Sequence, residues 1–195
     1  MQCDAKIRAR KGKSAVPVPD GGPRRSVVLV GLMGVGKSTI GRRLALRLGL
    51  PFVDADIEIE RAAQMRIAEM FDKYGEDYFR DGERRVIARL MRGPAQVIAT
   101  GGGAFVDPAT RAVILAEATA VWLDADVATL VERVRRRDTR PLLKGRDPAV
   151  VLADLAAVRN PIYAQAHVHI NSRPAPHEIT VQAIVAALGD YWARA

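Results

Sequence analysis

Residues 26–41 read Ser26-Val-Val-Leu-Val30-Gly31-Leu-Met-Gly34-Val35-Gly36-Lys37-Ser38-Thr39-Ile40-Gly41. Four consecutive apolar residues predict a buried strand, and Gly31 to Ser38 match G-x-x-x-x-G-K-[ST] in full. A helical pattern over Thr39–Leu48 follows at once. The glycines let the loop curl so that backbone N–H groups from Gly34 to Thr39, Val35 and Gly36 included, face phosphate oxygens at a helix N-terminus. Lys37 is placed to reach the β- and γ-phosphates, and the Ser38 hydroxyl to ligate Mg²⁺. Strand, loop and helix in this order predict a protein that binds a nucleoside triphosphate with magnesium.

Outward from this loop, short apolar runs alternate with longer amphipathic ones. Val27–Val30, Phe52–Val53, Val97–Thr100, Ala120–Leu123 and Val168–Ile170 read as strands. Helices are expected at Thr39–Leu48, Asp56–Met65, Gly82–Met91, Pro108–Glu117, Val127–Arg137, Ala149–Ala164 and Glu178–Ala187. Continuous apolar strands separated by helices imply an α/β fold: a five-stranded parallel sheet covered on both faces, hence three α/β/α layers. Ligands of such sheets sit beyond the carboxyl ends of the strands, so the residues that follow each strand carry the chemistry. No asparagine is followed by lysine, so the N-K-x-D guanine reader of signalling GTPases is missing. A small kinase with a mobile lid fits the length.

Those 195 residues are 49% hydrophobic and 27% charged, which excludes wholesale disorder, and no apolar run is long enough to span a bilayer. The net charge of +8 is concentrated in residues 1–25, where seven basic side chains face Asp4 and Asp20. With Pro17, Pro19, Gly21, Gly22 and Pro23, that stretch reads as a flexible basic arm ahead of one domain, residues 26–195. A nucleic-acid-binding fold would carry the excess on its folded body, so neither nucleic acid nor membrane is expected as partner. Cys3 is the single cysteine, and the arm lacks the apolar stretch of a secretory signal. A cytoplasmic location is expected.

The acceptor side is less determined by local pattern. Asp54-Ala-Asp56 ends the second strand, where an aspartate serves either as helix N-cap or in holding Mg²⁺ and facing an acceptor hydroxyl. Gly101-Gly102-Gly103 ends the third strand, either as a loose turn or as backbone that a ligand approaches closely. Asp124 ends the fourth and precedes a helix, as a cap would. Arg133, Arg135, Arg136, Arg137 and Arg140 lead into a polar loop, and Arg140 beside Pro141 is the choice for a lid arginine on the transferring phosphoryl group. His167 and His169 flank the fifth strand without a third ligand, and Trp122 reads as core.

Taken in order, the P-loop with Ser38-Thr-Ile-Gly41, Phe52-Val-Asp-Ala-Asp56, Tyr74-Gly-Glu76 with Phe79-Arg80 and Glu83, Gly101-Gly-Gly-Ala104, Arg140-Pro-Leu-Leu143 and Arg159-Asn-Pro-Ile-Tyr163 resemble the shikimate kinase family from about Ser26 onward. The resemblance implies a P-loop NTPase fold of the nucleoside monophosphate kinase type. It also implies transfer of the ATP γ-phosphoryl group to the 3-hydroxyl of shikimate, on the route to chorismate. By position, Asp56 would contact the ring hydroxyls, Arg80 and Arg159 would hold the carboxylate, and Glu83 would orient the arginines. Gly101, Gly102 and Gly103 would approach the ring, Asp54 would join Ser38 at magnesium, and Arg133, Arg173 and Pro174 would border the adenine. Lys37, Asp56 and Arg140 would carry the transfer. A monomer with shikimate as its small-molecule partner is expected.

Overall fold

The computed structural model describes residues 25–135, 146–172 and 175–194. Arg140, Arg173, Pro174 and the basic arm before Arg25 lie outside them. Along the chain run β1 (Val27–Val30), α1 (Lys37–Leu48), β2 (Phe52–Asp54), α2 (Ala55–Ala63), α3 (Ile67–Met91) and β3 (Val97–Ala99). There follow α4 (Pro108–Glu117), β4 (Thr119–Asp124), α5 (Val127–Arg135), α6 (Pro148–Tyr163), β5 (Val168–Asn171) and α7 (His177–Trp192). The five strands form one sheet in the order β2-β3-β1-β4-β5, every pair parallel.

That order explains the residue pattern. β1 and β3 lie inside the sheet with helices on both faces, and every residue of Val27–Val30 and Val97–Ala99 is buried. β5 is an edge strand, and its burial alternates: Val168 and Ile170 point inward, His169 and Asn171 outward. The chain leaves β1 for β2 on one side and later β4 on the other, so the crevice at the carboxyl end of β1 is the topological switch point. The loop Gly31–Gly36 emerges there.

α3 departs from the sequence expectation. The pattern Gly82–Met91 is only the C-terminal part of a helix that begins at Ile67 and is kinked at Gly75, whose φ of 81° and ψ of 178° are not helical. Glycine alone adopts that φ cheaply, and the kink interrupts the apolar periodicity that would have revealed the first half. Beyond the kink the buried stripe is Phe79, Glu83, Val86, Ile87 and Leu90, so a glutamate occupies a core position. α7 likewise starts one residue earlier and runs five residues longer than its apolar pattern suggests.

The aspartate that ends the fourth strand is decided by geometry. Asp126, not Asp124, caps α5, accepting from the Thr129 N–H at 2.7 Å. Asp124 instead lies 3.2 Å from His169 Nε2, and the His169 ring stacks on Trp122 with centroids 4.0 Å apart. His167 accepts the Ala120 N–H through Nδ1 at 3.0 Å, extending the β4–β5 ladder by one side-chain rung. Both histidines thus have structural partners.

Candidate active site

At the switch point opens a cleft of about 420 Å³, walled on one side by Gly34, Gly36, Lys37, Ser38 and Thr39 and on the other by Asp54, Asp56, Thr100, Gly101 and Gly102. Arg133 and His177 also line it. Gly31, Gly34 and Gly36 all have positive φ, which produces the tight curl of the loop. The Lys37 ammonium donates to the carbonyls of Gly31 and Leu32 at 2.7 and 3.0 Å, closing the loop on itself. Arg133 Nη1 donates to the Val35 carbonyl at 3.3 Å, which ties α5 to the loop. Val35 is buried.

Asp54 is a helix cap and is also held against the P-loop serine. Its Oδ1 accepts the Asp56 N–H at 3.2 Å as the N-cap of α2, while its Oδ2 accepts from the Ser38 hydroxyl at 2.7 Å. A hydroxyl and a carboxylate side by side are hard oxygen donors of the kind magnesium prefers, in the small number it takes from protein when phosphates and water supply the rest. The donor set therefore fits Mg²⁺.

Beyond β3 the three glycines explain themselves by what stands against them. A Cβ on Gly101 would lie 2.9 Å from Asp56 Oδ1 and 3.1 Å from Glu83 Oε1. One on Gly102 would lie 3.7 Å from Arg159 Nη1, and one on Gly103 only 2.5 Å from both Nη atoms of Arg80. Asp56, Glu83, Arg159 and Arg80, drawn from α2, α3 and α6, thus converge on one turn. Side chains on the turn would fill the space that these groups share.

The electrostatics of the cluster follow from burial. Arg80 Nη1 donates to Glu83 Oε2 at 2.6 Å, and its Nη2 and Nε donate to Glu76 Oε1 at 2.9 and 3.1 Å. Glu83 is only 1% exposed, and its Oε1 makes no hydrogen bond. Burial pushes the Glu83 carboxyl above its ordinary pKa, with Arg80 opposing and Asp56 and Asp107 reinforcing. Burial pulls the Arg80 guanidinium down, but the two glutamates outweigh it and raise it overall.

Of the described residues named from sequence, the structure brings Gly34, Gly36, Lys37, Ser38, Thr39, Asp54, Asp56, Gly101, Gly102 and Arg133 to the cleft and sets Arg80, Glu83 and Arg159 against the Gly101–Gly103 turn; Val35 and Gly103 lie outside the cleft lining. Sequence reasoning missed Thr100 and His177 as cleft residues, Glu76 as a partner of Arg80, and Tyr163, whose hydroxyl donates to the Gly102 carbonyl. A signal existed for Glu83, a charged residue on an apolar helical stripe. None existed for His177, which is brought to the cleft from far along the chain by α7.

Fold and cleft together define a P-loop phosphotransferase with a pocket for a small anionic acceptor. The family model for shikimate kinase matches residues 33–189, and the chain belongs to the shikimate kinase family. A shikimate kinase of Novosphingobium aromaticivorans is 59% identical over 172 residues, covering 86% of this chain and 89% of its own length. One of Caulobacter vibrioides is 58% identical over 164 residues, covering 84% and 82%. Among solved structures, a shikimate kinase from Acinetobacter baumannii in complex with shikimate superposes with a TM-score of 0.83 at 36% identity, covering 88% of this chain and 97% of that one. A gluconokinase from Sinorhizobium meliloti shares the fold alone, at TM-score 0.60 and 19% identity.

Proposed function

We propose that this chain transfers the γ-phosphoryl group of ATP to the 3-hydroxyl of shikimate, giving shikimate 3-phosphate and ADP on the route to chorismate and the aromatic amino acids. One observation carries the reading: two guanidinium groups and the Asp56 carboxylate meet at the Gly101–Gly103 turn, beside the P-loop. Shikimate carries one carboxylate and three hydroxyls. Arg80 and Arg159 are suited to bind the carboxylate through paired charge-assisted hydrogen bonds, and Asp56 to accept from the ring hydroxyls. A nucleoside kinase of the same fold, whose acceptor carries no carboxylate, has no need of two arginines on one turn.

Each protein group then has a definite task. The P-loop N–H groups and Lys37 hold the β- and γ-phosphates, and Asp56 orients the 3-hydroxyl and accepts its proton as the new P–O bond forms. Ser38 and Asp54 would hold Mg²⁺, which when bound would neutralise charge on the phosphates. Arg140, outside the described residues, is the candidate for stabilising charge on the transferring group, and Arg173 and Pro174, also outside them, for bordering the adenine. Catalysis is accordingly positioning and electrostatics rather than covalent chemistry. We further propose that the chain works as a cytoplasmic monomer with neither nucleic acid nor membrane as partner. No described helix is long and apolar enough to cross a membrane.

Incubation with Mg-ATP and shikimate, followed by ³¹P and ¹H NMR of the product, tests the reading at its most specific point. Phosphorus coupling to the proton on C3 is expected. Coupling to another ring proton, or no phosphorylated product, would overturn the assignment of Asp56 and the two arginines.

A further inference from the structure

α6 carries Arg159 and, four residues on, Tyr163, so the two side chains share a face of the helix. Between them stands Pro161, which has no N–H to give the carbonyl of Ala157 and so loosens the helical ladder between the two residues. Tyr163 is fully buried, its ring lying against Phe105 and Trp122 at centroid distances of 6.4 and 6.1 Å. Its hydroxyl donates to the carbonyl of Gly102, the middle glycine of the turn. Arg159 stands against the same glycine, its Nη1 3.7 Å from where a Cβ on Gly102 would lie, and Arg159, Arg80 and Glu83 are all close enough to act on the phenol electrostatically.

We infer that Tyr163 is a positioning residue for the carboxylate clamp: its hydroxyl donates to the Gly102 carbonyl and so holds the glycine turn in place against Arg159, which the same helix carries one turn earlier. The inference rests on the shikimate reading above and adds the group that sets the clamp's geometry before the acceptor arrives. Burial pushes the Tyr163 phenol above its ordinary pKa despite the opposing pull of Arg159. The hydroxyl therefore keeps its proton and remains a donor throughout the working pH range. Without the hydroxyl, the Gly102 carbonyl loses a buried donor and the turn is free to shift against Arg159.

Replacing Tyr163→Phe keeps the ring and removes only the hydroxyl. Steady-state kinetics should show the shikimate KM rising roughly tenfold, the value of one buried hydrogen bond, with the ATP KM and the fold unchanged. A double-mutant cycle separates positioning from general stability: on an Arg159→Ala background, Tyr163→Phe should add less than about twofold. Incorporating 4-aminophenylalanine at position 163, which restores a donor at the same place, should return the KM to within about threefold of wild type. The restored donor also tests the inference if the Phe variant does not fold.

An unchanged KM with a lowered melting temperature, or an equal factor in both backgrounds, would overturn the inference. Wild-type turnover measured beside the variants distinguishes this from failure of the shikimate reading itself. If the wild type does not turn over shikimate, that reading falls and the clamp role falls with it.

Discussion

Replacement of Gly103→Ala is the sharpest probe of the acceptor cluster. The residue is not in the left-handed region of backbone space, so alanine strains nothing locally. Its new methyl, however, would lie 2.5 Å from Arg80 Nη1 and Nη2 and 2.7 Å from Cζ. Ordinary van der Waals contact needs about 3.5 Å, so the guanidinium must retreat by about 1 Å. It cannot do so with its partners intact, because Nη1 sits 2.6 Å from Glu83 and Nη2 2.9 Å from Glu76. A retreat of about 1 Å stretches the bond to Glu83 beyond hydrogen-bonding distance and moves a substrate-binding group by an amount that typically costs about 100-fold. Leaving the buried Glu83 carboxylate less well paired costs stability on the order of 1–3 kcal/mol, or roughly 2–10 °C in Tm for a domain of this size.

The assay is coupled ADP release at varied shikimate and varied ATP, with a thermal melt of the same samples. The shikimate KM should rise about 100-fold and the ATP KM stay within about twofold. Gly82→Ala is the matched control, since a Cβ there meets nothing within 4 Å and the residue lies in α3. It should stabilise by about 0.5–1 kcal/mol and leave the kinetics alone. A Gly103→Ala enzyme with unaltered shikimate KM would refute the close packing of Arg80 on the turn.

Further outcomes follow from the same geometry. Arg159→Ala should raise the shikimate KM by roughly 100-fold while ATP affinity, measured by nucleotide titration, is nearly intact. Glu83 has a folded pKa above its ordinary 4.5. Its contribution to stability is therefore full below that value and lost as the pH rises through the raised one. Glu83→Gln does not titrate, so chemical denaturation at increasing pH should move the stability difference in the variant's favour, and a pH-independent difference would contradict the burial argument. Burial and Arg25 hold the His167 imidazole below its ordinary 6.5, and its neutral Nδ1 accepts from Ala120. That contribution is present above pH 6.5 and lost as the pH falls through the depressed value. His167→Asn, which keeps an acceptor in place, should flatten the acid side of the melting profile.

Much of this molecule is legible in its sequence, for reasons that differ by element. β1 and β3 announce themselves because burial on both faces demands unbroken apolar runs, and the P-loop because phosphate binding dictates glycine, lysine and serine at set spacing. The first half of α3 is hidden because Gly75 breaks its periodicity at the kink. The acceptor residues occupy separate elements, α2, α3 and α6, and no local pattern states that Asp56, Arg80 and Arg159 meet; only the resemblance to a family suggested it. Tyr163 and His177 lie further still from any local signal. The hydroxyl of one and the position of the other acquire meaning only when α6 and α7 fold back onto the carboxyl ends of the strands.

The most direct test of the central claim is ADP release from Mg-ATP with shikimate, measured beside quinate, gluconate and a set of nucleosides. Turnover stimulated by shikimate and by none of the other acceptors to a comparable degree is the predicted result. ATP binding without stimulation by shikimate, or equal stimulation by gluconate or a nucleoside, would contradict the assignment of the Arg80–Arg159 turn as a clamp for the shikimate carboxylate.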